Sequence, residues 1–160
     1  MCITENKQDD TVFMKEALRQ ARLAYEKNEV PVGAIIVKDG VIISKGYNLR
    51  ETNGSAISHA EICAIENACK ALGTWRLDEC ILYVTLEPCP MCSGAIINSR
   101  IKRVVYGAKD NLAGCCGSVL NVNNYPFNHS FEIIGGILDT ECSTLLSDFF
   151  KEKRNVKKSF

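Results

Sequence analysis

The stretch Ile81-Leu82-Tyr83-Val84-Thr85-Leu86-Glu87-Pro88-Cys89-Pro90-Met91-Cys92 runs an apolar segment directly into a Cys-x-x-Cys pair. Six apolar or β-branched residues closed by a proline read as a strand buried on both faces. Pro90 suits the first turn of a helix, where its missing N–H costs nothing, and Gly94-Ala95-Ile96-Ile97 continues that helix. Arg103-Val104-Val105-Tyr106 then reads as another short strand. Strand, helix, strand implies a right-handed parallel crossover, with both cysteines where strand meets helix.

Further elements extend in both directions. Upstream, Phe13, Met14, Ala17, Leu18, Ala21, Ala24 and Tyr25 recur at helical spacing between Thr11 and Asn28, with Asp9 or Asp10 as cap. Residues 33–37 and 41–44 flank Asp39-Gly40, a dipeptide preferred in two-residue hairpin turns. Ser58 opens a second helix reaching about Leu72. Downstream, a loop from about Ala108 to His129, rich in Asn and Gly, leads to a strand at Phe131 to Ile134 and a helix from about Asp139 to Arg154. A loop that long in a compact domain is usually functional. The pattern predicts an α/β fold of three layers, α/β/α, with helices on both faces of a mixed sheet of about five strands, in a single domain spanning residues 1–160.

Lys, Arg, Asp and Glu balance to a formal charge of zero, which argues against a protein that coats nucleic acid without specificity. Locally the balance differs. Lys151, Lys153, Arg154, Lys157 and Lys158 cluster against Glu152, either as a solvated helix end or as a phosphate-contacting surface. With no signal peptide and no apolar run able to cross a bilayer, the nine cysteines suit a reducing cytoplasm. Cys63, Cys69, Cys80 and Cys142 fall in helical or strand patterns as small core residues. Cys2 has no evident task, and the Gly-flanked Cys115-Cys116 pair could be exposed and oxidisable. Trp75 reads as a packing residue after the second helix.

His59-Ala60-Glu61 lies at the start of that second helix, ahead of the Cys89/Cys92 pair. One imidazole and two thiolates give three zinc ligands and leave the fourth tetrahedral position for water, whereas structural zinc sites close all four. Such an ion lowers the water's pKa towards neutrality, and Glu61 is placed to carry its proton. Plainer readings exist for each part. Ser58 and Glu61 also fit a capping box, and Cys-x-x-Cys alone fits a redox pair or half a zinc knuckle. The absence of a second Cys-x-x-Cys leaves His59 and Glu61 as the partners with suitable spacing. Cys89 and Cys92, three apart at a helix start, put both sulfurs on one side.

These residues, with Glu29-Val30-Pro31-Val32-Gly33-Ala34, Asn48-Leu49-Arg50, Thr85-Leu86-Glu87-Pro88-Cys89, Ser99-Arg100-Ile101, Val104-Val105-Tyr106-Gly107-Ala108, Phe127-Asn128-His129 and residues 145–150, resemble the zinc-dependent cytidine and deoxycytidylate deaminase superfamily. Nearly the whole chain resembles its bacterial branch of tRNA-specific adenosine deaminases. The resemblance implies the cytidine deaminase-like fold, one Zn2+ per subunit on His59, Cys89 and Cys92, and a homodimer acting on the tRNA anticodon stem-loop to make inosine at the wobble position. It further implies that Glu61 shuttles protons, that Asn48 bonds the base or ribose, that the backbone after Leu86 meets the exocyclic amine, and that Asp110 and Asn128 line the nucleotide pocket. On composition alone Asn48 is a turn-former and the other two are ordinary loop polar residues. Arg50, Lys109, Lys151 and Arg154 are candidate phosphate contacts. Phe149 or Phe150 is a candidate stacking platform, with core packing as the alternative. Rival expectations are a guanine or other free-base or nucleoside deaminase, favoured by the Cys89-Pro90-Met91-Cys92 form, and a non-catalytic RNA-binding subunit, disfavoured by the presence of Glu61.

Overall fold

The computed structural model describes residues 3–159; Cys2 lies outside them. In chain order the elements are α1 (Ile3–Glu26), β1 (Gly33–Lys38), β2 (Val41–Tyr47), α2 (Arg50–Asn53), α3 (Ala60–Leu72), β3 (Ile81–Leu86), α4 (Pro90–Ser99), β4 (Arg103–Ala108), β5 (Glu132–Ile134) and α5 (Asp139–Lys158). The strands form one sheet in the order β2-β1-β3-β4-β5. β1 pairs antiparallel with both β2 and β3, while β3–β4 and β4–β5 are parallel. The expected α/β architecture with a mixed five-stranded sheet is therefore what the chain adopts.

Alternation along the strands sorts the core into two layers. Ala34, Ile36, Leu82, Val84, Val104 and Tyr106 face a layer that includes Ala60, Ala64 and Ala68 of α3 with Ile96 and Ile97 of α4. Ile35, Val37, Tyr83 and Val105 face Met14, Ala17 and Leu18 of α1 and Cys142 of α5. Because both faces are covered, the central strands read as continuous apolar runs rather than alternating ones. Gly46 lets α3 close on β2: a Cβ there would lie 2.6 Å from both Ala60 O and Ala64 N. The hairpin turn takes the form its sequence demands, with Asp39 and Gly40 both at positive φ.

Several boundaries and placements differ from the sequence reading. α1 begins at Ile3 rather than Thr11, since no Gly or Pro interrupts the polar residues before Asp9. Asp10 is thus no cap. It is buried inside α1, where Oδ1 accepts from the Tyr83 hydroxyl at 2.8 Å and Oδ2 from Arg103 Nη2 at 2.7 Å, tying α1 to β3 and β4. His59, not Ser58, occupies the N-cap position of α3, and the Ser58 hydroxyl instead accepts from Asn53 Nδ2. Trp75 is 58 % exposed, beneath the guanidinium groups of Arg76 and Arg100. Cys80 and Cys142 are core residues as expected, whereas Cys63 and Cys69 are only half-buried.

Candidate metal centre and substrate pocket

The site forms at the carboxyl end of β3, which lies between an antiparallel neighbour, β1, and a parallel one, β4; the carboxyl ends of strands are the usual place for a ligand in an open α/β sheet. His59 and Cys89 are the N-cap residues of α3 and α4, both in extended conformation and neither spending its side chain on a cap. Two helix starts therefore converge, and their unpaired N–H groups favour anionic sulfur. His59 Nδ1 lies 3.7 Å from Cys89 Sγ and 3.6 Å from Cys92 Sγ. Tetrahedral zinc at about 2.3 Å from sulfur and about 2.05 Å from nitrogen requires N···S edges of roughly 3.6 Å, so the donor set fits the ion. Among the described residues this trio is the cluster able to hold a metal. The neighbouring Cys92 thiol holds Cys89 down to about 4 against burial, with His59 adding to the effect, whereas donation to Cys89 and burial push Cys92 up.

Glu61 stands in the first turn of α3, 4 % exposed, with its side chain on the same cavity. Burial is the largest influence on its carboxyl and raises it to about 7. The capping-box reading fails because α3 carries no side-chain cap. The cavity, about 160 Å³, is walled by Val30, Val32 and Leu86, with Asn48, Arg50, Glu87 and Asp110 at its polar side. Asn48 donates from Nδ2 to Val30 O at 3.1 Å and accepts at Oδ1 from the Arg50 N–H at 3.2 Å. An amide has two donor hydrogens and two acceptor lone pairs, so one of each remains for a ligand. The turn-former and ligand-binding readings of Asn48 are thus compatible.

Not every expected residue is gathered here. Asn128 is exposed on the segment after Phe127 and is absent from the cavity wall, because that segment turns away beyond the 3-10 turn Val122–Asn124. Lys109 is exposed beside Asp110. Phe149 is 4 % exposed, edge-on to Tyr25 and Phe150, so core packing describes it and its ring is not an open platform. Phe150 is 44 % exposed, and Lys151 and Arg154 are exposed along α5. A second cavity between α5 and α1, lined by Tyr25, Asn28, Lys153 and Lys157, adjoins the segment that leads to Glu29 and Val30 at the main pocket.

Two buried acids went unassigned in the sequence reading. Glu29 accepts from the N–H groups of Glu51 at 3.2 Å and Thr52 at 2.6 Å, holding the start of α2 and the Asn48 side of the cavity. Glu87 accepts from Asp110, Cys116 and Ser118 N–H groups, each at 3.0 Å, and from the Ser118 hydroxyl. For Glu87 the signal available was a carboxylate directly after an apolar run; Glu29 follows the polar residues Glu26, Lys27 and Asn28 and offers no such signal. That same inward fold of the loop buries Cys115 and Cys116, contrary to the expectation that they could be exposed and oxidisable; burial raises the Cys116 thiol to about 12.

Residues 7–108 match the family described as the cytidine and deoxycytidylate deaminase zinc-binding region. A tRNA-specific adenosine deaminase of Bacillus subtilis (strain 168) is 52 % identical over 151 residues, covering 94 % of each chain. A solved structure from work on A-to-I editing by tRNA:A34 deaminases at the wobble position of transfer RNA superposes with a TM-score of 0.82 and 41 % identity over 84 % of this chain and 99 % of that one. The guanine deaminase of Bacillus subtilis is 47 % identical over 61 % of this chain and 63 % of its own, with a TM-score of 0.59. With its His-Cys-Cys trio and buried glutamate in the matched region, the chain belongs to the cytidine and deoxycytidylate deaminase zinc-binding family.

Proposed function

We propose that this chain is a tRNA adenosine deaminase, hydrolysing adenosine to inosine and ammonia at the wobble position of the anticodon. The observation that carries the reaction is Glu61, buried on one cavity with His59 and Cys89, which together with Cys92 form a zinc donor set of open-site composition. The substrate rests on the tRNA-specific relative, similar along nearly the full length of both chains.

His59, Cys89 and Cys92 would hold the zinc, which when bound would supply Lewis-acid activation of water. Glu61 takes one proton from water as its oxygen adds to the purine carbon and passes it to the ring nitrogen; it then takes the second proton from the added hydroxyl and passes it to the amine, so that the C–N bond breaks, ammonia leaves and the carbonyl of inosine forms. Asn48 offers its remaining amide hydrogen and lone pair to the base or ribose. The backbone after Leu86 meets the exocyclic amine, and Asp110 closes the opposite side. A base must leave its stack to enter so small a cavity, which costs least in a single-stranded loop. Arg50 at the cavity mouth, then Lys109, Phe150, Lys151 and Arg154, contact the RNA outside it.

The enzyme works in the cytoplasm, where tRNA is found and thiolate ligands stay reduced. No helix among the described residues is long and apolar enough to cross a membrane. The chain acts as a homodimer, as its resemblance implies. The test is inosine formation by the zinc-loaded protein on an anticodon stem-loop, run beside free guanine and free cytidine. Inosine on the stem-loop alone is expected. Turnover of free guanine with an inert stem-loop would instead favour the second reading, for which the Cys89-Pro90-Met91-Cys92 form and the likeness to guanine deaminase speak.

A further inference from the structure

The wall of the pocket on its Asp110 side belongs to no helix or strand. Residues 109–118 join β4 to the 3-10 turn with little regular backbone pairing, yet Asp110 must face the cavity for the wall to exist. What holds the segment is the Glu87 carboxylate, 1 % exposed at the end of β3. Oε1 accepts from the N–H groups of Cys116 and Ser118, and Oε2 from the Asp110 N–H and the Ser118 hydroxyl. A carboxylate has about four acceptor positions, so all are filled. A saturated acceptor has no lone pair left for a substrate proton, which separates Glu87 from Glu61 despite their shared cavity.

Two further features show that the loop is shaped around this group. A Cβ on Gly114 would lie 2.4 Å from Cδ and Oε2 of Glu87, so only glycine allows the backbone to wrap the carboxylate. The Cys115 N–H donates to Pro88 O at 2.9 Å, fastening the loop to the residue that precedes Cys89. Asp110 then receives the Leu112 and Ala113 N–H groups on its own Oδ1, which completes the turn.

We propose that Glu87 is a positioning residue: it gathers the 110–118 loop onto the turn carrying Cys89 and thereby sets the Asp110 wall of the substrate pocket. Its consequence for turnover rests on the deaminase reading above; its consequence for the loop does not. Glu87→Gln keeps the shape but replaces two acceptor positions with an amide donor facing N–H groups. In zinc-loaded protein, this variant is expected to hold as much zinc as wild type and to keep the β1 and β3 amides protected. The amides of Asp110, Cys116 and Ser118 exchange at least tenfold faster, and kcat/KM on the anticodon stem-loop falls at least tenfold. Ser118→Ala costs several-fold alone and less than that when added to Glu87→Gln, since the amide has already removed the charged acceptor of the Ser118 hydroxyl.

Unchanged exchange at those amides in Glu87→Gln would overturn the proposal, as would zinc lost together with activity or strictly additive losses in the double variant. Should Glu87→Gln fail to fold, Ser118→Ala decides alone: faster exchange confined to 110–118 supports the assignment, and no change defeats it. A wild-type protein inert on the stem-loop would refute the tRNA substrate while leaving the exchange and zinc results to judge Glu87.

Discussion

Glu61 and Glu87 share a cavity and a nearly complete burial, yet their partners differ in the way that the proposed roles, proton transfer for Glu61 and positioning for Glu87, require. Burial pushes both carboxyls up, but around Glu87 the hydrogen bonds of Ser118, Asp110 and Cys116 outweigh it and bring the group below its usual carboxylate range, while Glu61 stays raised at about 7. One is held as a fixed anion and the other can exchange a proton. Glu61→Gln should therefore keep one zinc per chain and the wild-type affinity for the stem-loop, while single-turnover deamination drops by about 10²- to 10⁴-fold. Zinc lost with the activity would make Glu61 structural. The zinc ligands were legible in the sequence because His59-Ala60-Glu61 and Cys89-Pro90-Met91-Cys92 each report a local helix start. The part played by Glu87 was not, because its donors lie 23 to 31 residues downstream in a loop without periodicity.

Among the elements, β3 falls where its apolar run predicts, but α2 escaped the sequence reading altogether. A four-residue helix is below the length at which periodicity or intrinsic stability speaks, and this one persists because Glu29 receives two of its first-turn N–H groups. Burial acts to raise the Glu29 carboxyl, and the bonds from Thr52 and Glu51 together with the Arg50 charge bring it below its ordinary value. A depressed folded pKa adds stability that is present above the unfolded value and lost as pH falls through the folded one. Glu29→Gln should thus be less stable than wild type at neutral pH by about 1–3 kcal/mol, with the gap narrowing as pH drops below the usual carboxylate range. Paired denaturant titrations across that window check it, and a gap independent of pH would refute it. For α5, the basic run lies on an exposed helix end beside the Tyr25 cavity. Removing residues from Lys151 onward should weaken stem-loop binding and flatten its salt dependence, leaving zinc content unchanged. Equal affinity would return this helix end to a purely solvated role.

Assembly is the property of the molecule that a single chain's sequence conceals most, because an apolar face buried in a core and one buried against a partner have the same pattern. A groove of about 450 Å³ runs along the outer side of α4, between Pro90, Gly94 and Ile97 and the loop residues Leu120, Val122, Tyr125 and Phe127. Tyr125 and Phe127 are exposed with rings 6.2 Å apart, which puts two large apolar side chains on this groove. Exposed patches of that kind mark interaction surfaces, and aromatic residues anchor the centres of interfaces. Since Cys89 is the N-cap of α4 and Cys92 lies in its first turn, a second copy seated on this face would brace the helix that positions both thiols. Light scattering at micromolar concentration should then give twice the 17.7 kDa chain mass. Phe127→Asp should move the population towards the single-chain mass with zinc retained, because a carboxylate buried across the interface would lack a partner. A wild-type protein found only at the single-chain mass would sink the dimer, and a dimer indifferent to Phe127→Asp would move its interface to another face.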